Sequence, residues 1–292
     1  MRKIVLLSNP YRDRGMKTAL RAKQILESAG VTTSLCLSLR GKPGSVVPPG
    51  VSIEELDQQL KDADMLISFG GDGTILHAVK SANAYNVPLL GVNLGSVGFL
   101  AELEEDELGQ LARLAAGDYF LEERMMLDVW ISRGGKVTFR DTALNDISMI
   151  KAAAAGVIDL SIKGDDVLMS QFVGDGVILS TPTGSTAYSM SAGGPVVEPT
   201  AENIIMTPVC AHGTQARAFV LAPSRVVAVQ LRKPTRRTAL ISVDGGKTVR
   251  ITDKDVVVVT RSSEKTRLVR LADRKFYDIF RLKFSRERKD YR

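Results

Sequence analysis

The stretch SFGGDGTILHA, residues 68 to 78, decides how this chain is read. An apolar run ends in Gly70 and Gly71, then Asp72, Gly73 and Thr74, and a helical pattern follows. A glycine-rich turn between strand and helix offers backbone N–H groups and partial positive charge to anions. A carboxylate in that position repels phosphate unless it has chemistry to do. Two roles remove the conflict: accepting a proton from an attacking hydroxyl, or engaging a Mg²⁺ ion. A Gly-Asp-Gly hairpin turn is the plain alternative. Neither GxxxxGK[ST] nor a spaced GxGxxG is found here, so the loop is neither a P-loop nor an ordinary dinucleotide fingerprint.

Outward from that loop, the first third alternates strands and helices. KIVLLSN (3 to 9), VTTSLCLSL, DMLISF (64 to 69) and VPLLGVN (87 to 93) read as strands, the last two apolar enough for a parallel sheet covered on both faces. A helix is expected from about Gly15 to Ala29 with Leu20, Ala22 and Ile25 as its buried stripe, and another over EEDELGQLARLAAG, 104 to 117. GKPGSVVPPG, 41 to 50, is expected as a surface loop. From about residue 120 many short strands separated by turns such as RGG, KGDD and VDGG predict an antiparallel, sandwich-like unit. FYDIFRLKF carries Phe276, Ile279, Phe280 and Leu282 near one helical face and predicts a helix that docks back. The expected architecture is therefore α+β in two domains: an N-terminal α/β doubly wound domain over 1–120, joined by the helix 275–292, and a C-terminal β-sandwich domain over 121–274.

The 292 residues suffice for two cores, and 44% hydrophobic with 25% charged residues is ordinary for a globular chain. No apolar run reaches the roughly 20 residues of a membrane span and no signal-peptide pattern opens the chain, which predicts a cytoplasmic protein without a membrane partner. Cys36 and Cys210 lack metal or redox spacing and are expected as buried thiols. The net charge of +6 gathers in RKPTRR (232 to 237) and in the terminal Arg281, Lys283, Arg286, Arg288, Lys289 and Arg292. These show no interleaved aromatic stacking pattern, so a solvated face or subunit contact is expected rather than nucleic acid.

A second constellation is GDGVILSTPTGSTAYSMSAGGPVV, 174 to 197, which crowds hydroxyls around glycines and one aromatic. It suits a nucleotide: Ser185 or Thr186 can cap a helix, and Tyr188 can stack on a purine while neighbouring groups read its edge. NDISMI, 145 to 150, sets an amide beside a carboxylate, a pair able to hold the vicinal hydroxyls of a ribose, although taken by itself an Asn-Asp turn is the better reading.

Together GGDGT, GVNLGSVGFL (91 to 100), Asn145-Asp146, STPTGSTAYSMSAGGP and the terminal FYDI resemble the NAD kinase family over nearly the whole chain. The resemblance implies phosphoryl transfer from ATP, with Mg²⁺ or another divalent metal, to the adenosine 2′-hydroxyl of NAD, and an active site between two domains in a homodimer or homotetramer. It implies Asp72 as catalytic base, Gly70, Gly71, Gly73 and Thr74 as phosphate loop, and His77 near the dinucleotide phosphates. Asn145 and Asp146 match an Asn-Glu pair with the shorter acid. Asp175 and the run Thr186, Ala187, Tyr188, Ser189, Met190 and Ser191 match the NAD-binding segments, with Thr183, Asp244 and Gly245 as provisional members. Gly246 stands where relatives carry an amide. The alternatives are a lipid kinase of the diacylglycerol or sphingosine type, which shares the GGDG loop, and a non-catalytic NAD sensor.

Overall fold

The computed structural model describes residues 3–38, 47–95, 98–213, 216–232, 237–272 and 276–290, the last from 284 onward as backbone. Residues 41–46 of the expected surface loop, 233–236 of the basic stretch and the side chains of the terminal basic run from Arg286 lie outside the described residues. The chain divides into two compact units: Met1–Glu123 with Thr266–Arg292, and Arg124–Lys265.

In the first unit, β1 (Lys3–Ser8), β2 (Thr32–Leu37), β3 (Met65–Gly70) and β4 (Leu89–Asn93) form a parallel sheet in the order β2-β1-β3-β4, and the short β5 (Leu103–Glu104) adds to β4. All six residues of β3 and all five of β4 are buried, which explains their unbroken apolar sequence. The chain passes from β1 outward to β2, then returns to the other side of β1 for β3. The order therefore reverses between β1 and β3, and the crevice beyond their carboxyl ends is where such sheets bind ligands.

Helix α1 (Lys17–Ser28) buries Ala19, Ala22 and Leu26. Leu20 and Ile25, expected in its stripe, are half-buried at the flank of that face. Its first turn is held from upstream: buried Asp13 accepts the N–H groups of Thr18 (2.9 Å) and Ala19 (3.0 Å). The single-turn α2 (Leu56–Gln59) precedes β3, and α3 (Asp72–Ala84) follows it.

The helix expected over 104–117 is instead a 3₁₀ segment, Glu105–Leu111, continued by the one-turn α4 (Ala112–Ala115). A reciprocal capping box between Glu104 and Glu107 starts it, Gly109 weakens α-helical continuation, and Gly117 ends it at φ 72°.

The second unit is antiparallel. After β6 (Phe120–Arg133) and β7 (Lys136–Ala143) come β8 (Asp146–Lys151), β9 (Ile158–Gly164), β10 (Val167–Gly174) and β11 (Gly176–Ser180). A short helix α5 (Tyr188–Ser191) leads to β12 (Ile204–Val209), β13 (Phe219–Leu221), β14 (Val227–Leu231), β15 (Ala239–Val243), β16 (Val249–Ile251) and β17 (Asp255–Arg270). One sheet runs β13-β12-β11-β8-β15-β16 and faces β10-β9-β14-β17 across a shared core containing Ile147, Met149, Val177 and Ile241 with Leu160, Ile162, Val229 and Val257. Strict alternation of burial along β9 and β15 is the period-two signature of such a sandwich.

The last helix, α6 (Phe276–Asp290), packs on the first unit through Phe276 and Phe280, whose ring centroids lie 6.1 and 6.3 Å from that of Phe99. Lys283 stands 4.5 Å over the same ring. Leu282, expected in the docking stripe, is 51% exposed. Positions 276, 280 and 283 share a helical face and 282 points off it. Of the two cysteines, Cys36 is buried, its thiol pushed up to about 12 chiefly by desolvation. Cys210 is exposed, contrary to expectation, because it occupies a left-handed turn position (φ 46°) directly after β12.

Candidate active site

Asp72 is the first residue of α3, with Gly71 at the N-cap. The helix thus begins earlier than the sequence suggests, and the acid sits at its positive pole, where a carboxylate is stabilised. This answers the charge conflict of the loop. The carboxylate also accepts the N–H of Phe99 (2.9 Å, Oδ2) and of Leu100 (3.2 Å, Oδ1). Gly98 makes this possible, since a Cβ there would overlap the Asp72 carboxylate. A carboxylate offers about four acceptor positions, so two remain for other partners.

The flanking residues of the loop line a cleft of about 280 Å³ with Asn9, Arg12, Ser38, Gly71, Gly73, Thr74 and His77. It lies at the β1/β3 reversal of the sheet. The Asn9 N–H bonds the Phe69 carbonyl (3.0 Å), and its amide donates to Thr74 Oγ1 (2.8 Å), tying the ends of β1 and β3 together. Gly70 leaves room for Thr74, whose side chain a Cβ would overlap. Gly73 and His77 are exposed, and among the described residues no carboxylate lines the cleft.

The second unit assembles its own set. Asp244, at the left-handed φ of 48° in the turn after β15, accepts three successive N–H groups: Leu144 and Asn145 at 2.8 Å and Asp146 at 3.0 Å. Its neighbour Gly245 completes the turn at φ 68°. Asp146 is buried, and burial together with the Asp244 charge pushes its carboxyl up to about 7. Asp146 therefore opens the central strand β8, and Asn145 lies in the bend directly before it. The Asn145 carbonyl accepts Thr181 N–H (2.9 Å), and Gly184 packs so closely on it that a Cβ would overlap the backbone. Asn145 Oδ1 is buried without a partner among the described residues.

The hydroxyls of 180–191 largely hold the segment itself. Thr181 Oγ1 donates to the Leu144 carbonyl (2.5 Å) and accepts the Gly184 N–H (3.0 Å). Ser189 bonds Thr207 (2.8 Å), and buried Arg124 donates to Thr183 (3.2 Å). Neither Ser185 nor Thr186 caps a helix as expected: Ser185 Oγ holds Val197 through both its N–H and its carbonyl, and Thr186 Oγ1 bonds the Thr183 carbonyl. Their side chains are folded into the loop, where a helix N-terminus cannot use them. Tyr188 remains 42% exposed and Ser191 is exposed, while Ala187 and Met190 are half-buried. Asp175 pairs with Lys151 at 2.7 Å.

Among the described residues no group of three His, Cys, Asp or Glu side chains converges. Mg²⁺ takes one or two carboxylates and keeps water and phosphate oxygens, so Asp72, with two acceptor positions open, is a residue that could meet it. Also among the described residues, no helix is long and apolar enough to cross a membrane. Sequence reasoning missed Asn9, Arg12, Ser38, Lys151 and the supports of Asp72. For the last, the one signal was a second glycine-spaced run, GVNLGSVGFL, whose Gly98 has a steric duty invisible in one dimension.

The ATP-NAD kinase N-terminal domain model matches residues 4–119 and the ATP-NAD kinase C-terminal domain model residues 144–271. An NAD kinase from Symbiobacterium thermophilum is 38% identical over 289 residues, covering 98% of this chain and 99% of that protein. One from Ruminiclostridium cellulolyticum is 34% identical over 299 residues, covering 99% and 100%. Among solved structures, an NAD kinase from Archaeoglobus fulgidus in complex with ATP superposes with a TM-score of 0.70 at 25% identity, covering 95% of this chain and 96% of that one. Yeast NADH kinase complexed with NADH shares the fold at a TM-score of 0.78 and 24% identity, covering 96% and 86%. Neither the lipid-kinase nor the silent-sensor alternative gains support from these matches.

Proposed function

This chain belongs to the NAD kinase family, and on that premise we propose that it transfers the γ-phosphoryl group of ATP to the adenosine 2′-hydroxyl of NAD, forming NADP and ADP. The observation that carries the reading is Asp72: a carboxylate fixed by two N–H donors at a helix start, with its neighbours Gly71 and Gly73 lining the cleft. As the 2′-oxygen forms its bond to the γ-phosphorus, its proton passes to Asp72 and the bond from phosphorus to the ADP oxygen breaks. A secondary hydroxyl is a weak nucleophile near neutrality, so positioning provides most of the acceleration and the base adds about 10² to 10⁴-fold.

Gly70, Gly71, Gly73 and Thr74 form the phosphate loop, with His77 one turn along the same helix edge. Asn145 Oδ1, buried and unpartnered among the described residues, accepts a ribose hydroxyl, and Asp146 beside it takes the second. Tyr188 offers an exposed ring for adenine, within the run Thr186 to Ser191. Asp175, Thr183, Asp244 and Gly245 support these contacts. Mg²⁺ bound with ATP would neutralise phosphate charge, and Asp72 would be the residue to hold it. Work in the cytoplasm as a homodimer or homotetramer belongs to the same reading.

The test is NADP formation from ATP, Mg²⁺ and NAD, with a sphingoid base as the competing acceptor. NADP as the product supports the assignment. Phosphorylation of the lipid alone overturns it.

A further inference from the structure

We infer that Arg12, presented by a rigid turn after β1, grips the phosphate chain of the donor nucleotide. The inference rests on the phosphoryl-transfer reading and adds a residue and a substrate contact to it. Asn9 builds the turn: its carbonyl accepts the N–H groups of Arg12 (3.0 Å) and Asp13 (2.8 Å), and its side chain accepts the Tyr11 N–H (3.0 Å) while donating to Thr74. Asp13 is buried and bonded to Ser8 Oγ and the start of α1. Arg12 is thus an exposed cation on a preorganised support, and it takes part in no ion pair among the described residues.

The cleft that Arg12 lines is suited to an anion on three further counts. Gly71 and Gly73 bring the start of the thirteen-residue helix α3 to it, and among the described residues no carboxylate lines it and Ser38 Oγ, another lining group, is buried without a partner. A guanidinium matches phosphate oxygens two at a time and remains charged at any working pH. At about 280 Å³ the cleft has room for a phosphate chain. NAD also carries a pyrophosphate, and the same chemistry would recognise it. The donor is favoured because the γ-phosphorus must lie beside the base, and the residues on either side of Asp72 line this cleft.

Arg12→Ala and Arg12→Lys test the assignment through two readouts. The first is steady-state NADP formation with ATP and NAD varied separately. The second is calorimetric binding of Mg²⁺-tripolyphosphate, a probe with no nucleoside. Arg12 is exposed, so both variants are expected to melt like the parent chain. Arg12→Ala should raise KM for ATP about 10- to 100-fold, weaken tripolyphosphate by a similar factor and leave KM for NAD within about twofold, with Arg12→Lys between. Unchanged ATP and tripolyphosphate values, or a loss that falls on NAD, would overturn it. If the parent chain bound tripolyphosphate through Arg12 yet formed no NADP, the functional reading would fail and the phosphate grip would stand. NADP formation indifferent to Arg12 would sink the grip alone.

Discussion

Gly98 and Asp72 occupy one space: a Cβ on the glycine would overlap the aspartate carboxylate that Phe99 and Leu100 hold through their N–H groups. Gly98→Ala must therefore push the carboxylate or the loop aside. Displacing a reacting group by an ångström costs on the order of 10²-fold in rate. Turnover in NADP formation should fall by about that factor. Turnover equal to the parent's would show that the contact does not position the acid.

Gly184 stands in the same relation to the backbone of Asn145. The neighbour there is main chain directly before β8, its carbonyl already bonded to the Thr181 N–H, and has little room to yield, so Gly184→Ala should destabilise the second unit by about 1 to 3 kcal/mol. Differential scanning calorimetry should show a melting point several degrees lower. KM for NAD should rise in the same variant, because Asn145 moves with its carbonyl.

Asp146 predicts a pH dependence whose sign is fixed by its surroundings. Burial, followed by the Asp244 charge, raises its carboxyl to about 7 in the folded chain, against about 3.9 when unfolded. Between these values the folded state keeps a proton that the unfolded state has lost. Stability therefore declines as pH rises from about 4 to about 7 and levels off above. Asp146→Asn should remove this component and gain on the parent most at pH 8. Urea midpoints at pH 5, 6, 7 and 8 measure it, and parallel curves for the two proteins would contradict the account.

Phe99 joins two roles, its N–H on Asp72 and its ring against α6. Phe280→Ala removes one partly buried ring from that cluster, a loss of about 1 to 3 kcal/mol of burial, and loosens the segment that bears the N–H. Turnover should drop by about three- to tenfold with KM for NAD nearly unchanged. A change confined to KM for NAD would separate the helix from the acid.

How far the sequence reaches can be argued from these same residues. β3 and β4 are continuous apolar runs because both faces are covered, β9 and β15 alternate because one is, and those periods were readable directly. β12 was not, since Pro208 lies within it opposite Val177 and proline argues against a paired strand. The 3₁₀ course of 105–111 was hidden behind good helix-end signals. At the site, Asp72 and the 180–191 segment stood out by composition. The place of Arg12 at the site depends on Asn9 bonding Thr74, 65 positions away, and on a cleft formed by three separate segments, and no local pattern encodes that. Hydroxyl richness was legible too, but its use was not: Thr181, Ser185 and Ser189 fasten the loop to Leu144, Val197 and Thr207.

The central claim is that Asp72 takes the proton of the acceptor hydroxyl, and Asp72→Asn tests it most directly. Asparagine retains one side-chain oxygen for the Phe99 or Leu100 N–H but has no basic carboxylate. The measurement is single-turnover NADP formation at saturating ATP and NAD, alongside calorimetric NAD affinity and the melting point of the variant. The account predicts a rate at least 10²-fold lower with NAD affinity close to the parent's. A parental rate in a folded, NAD-binding Asp72→Asn protein would contradict it.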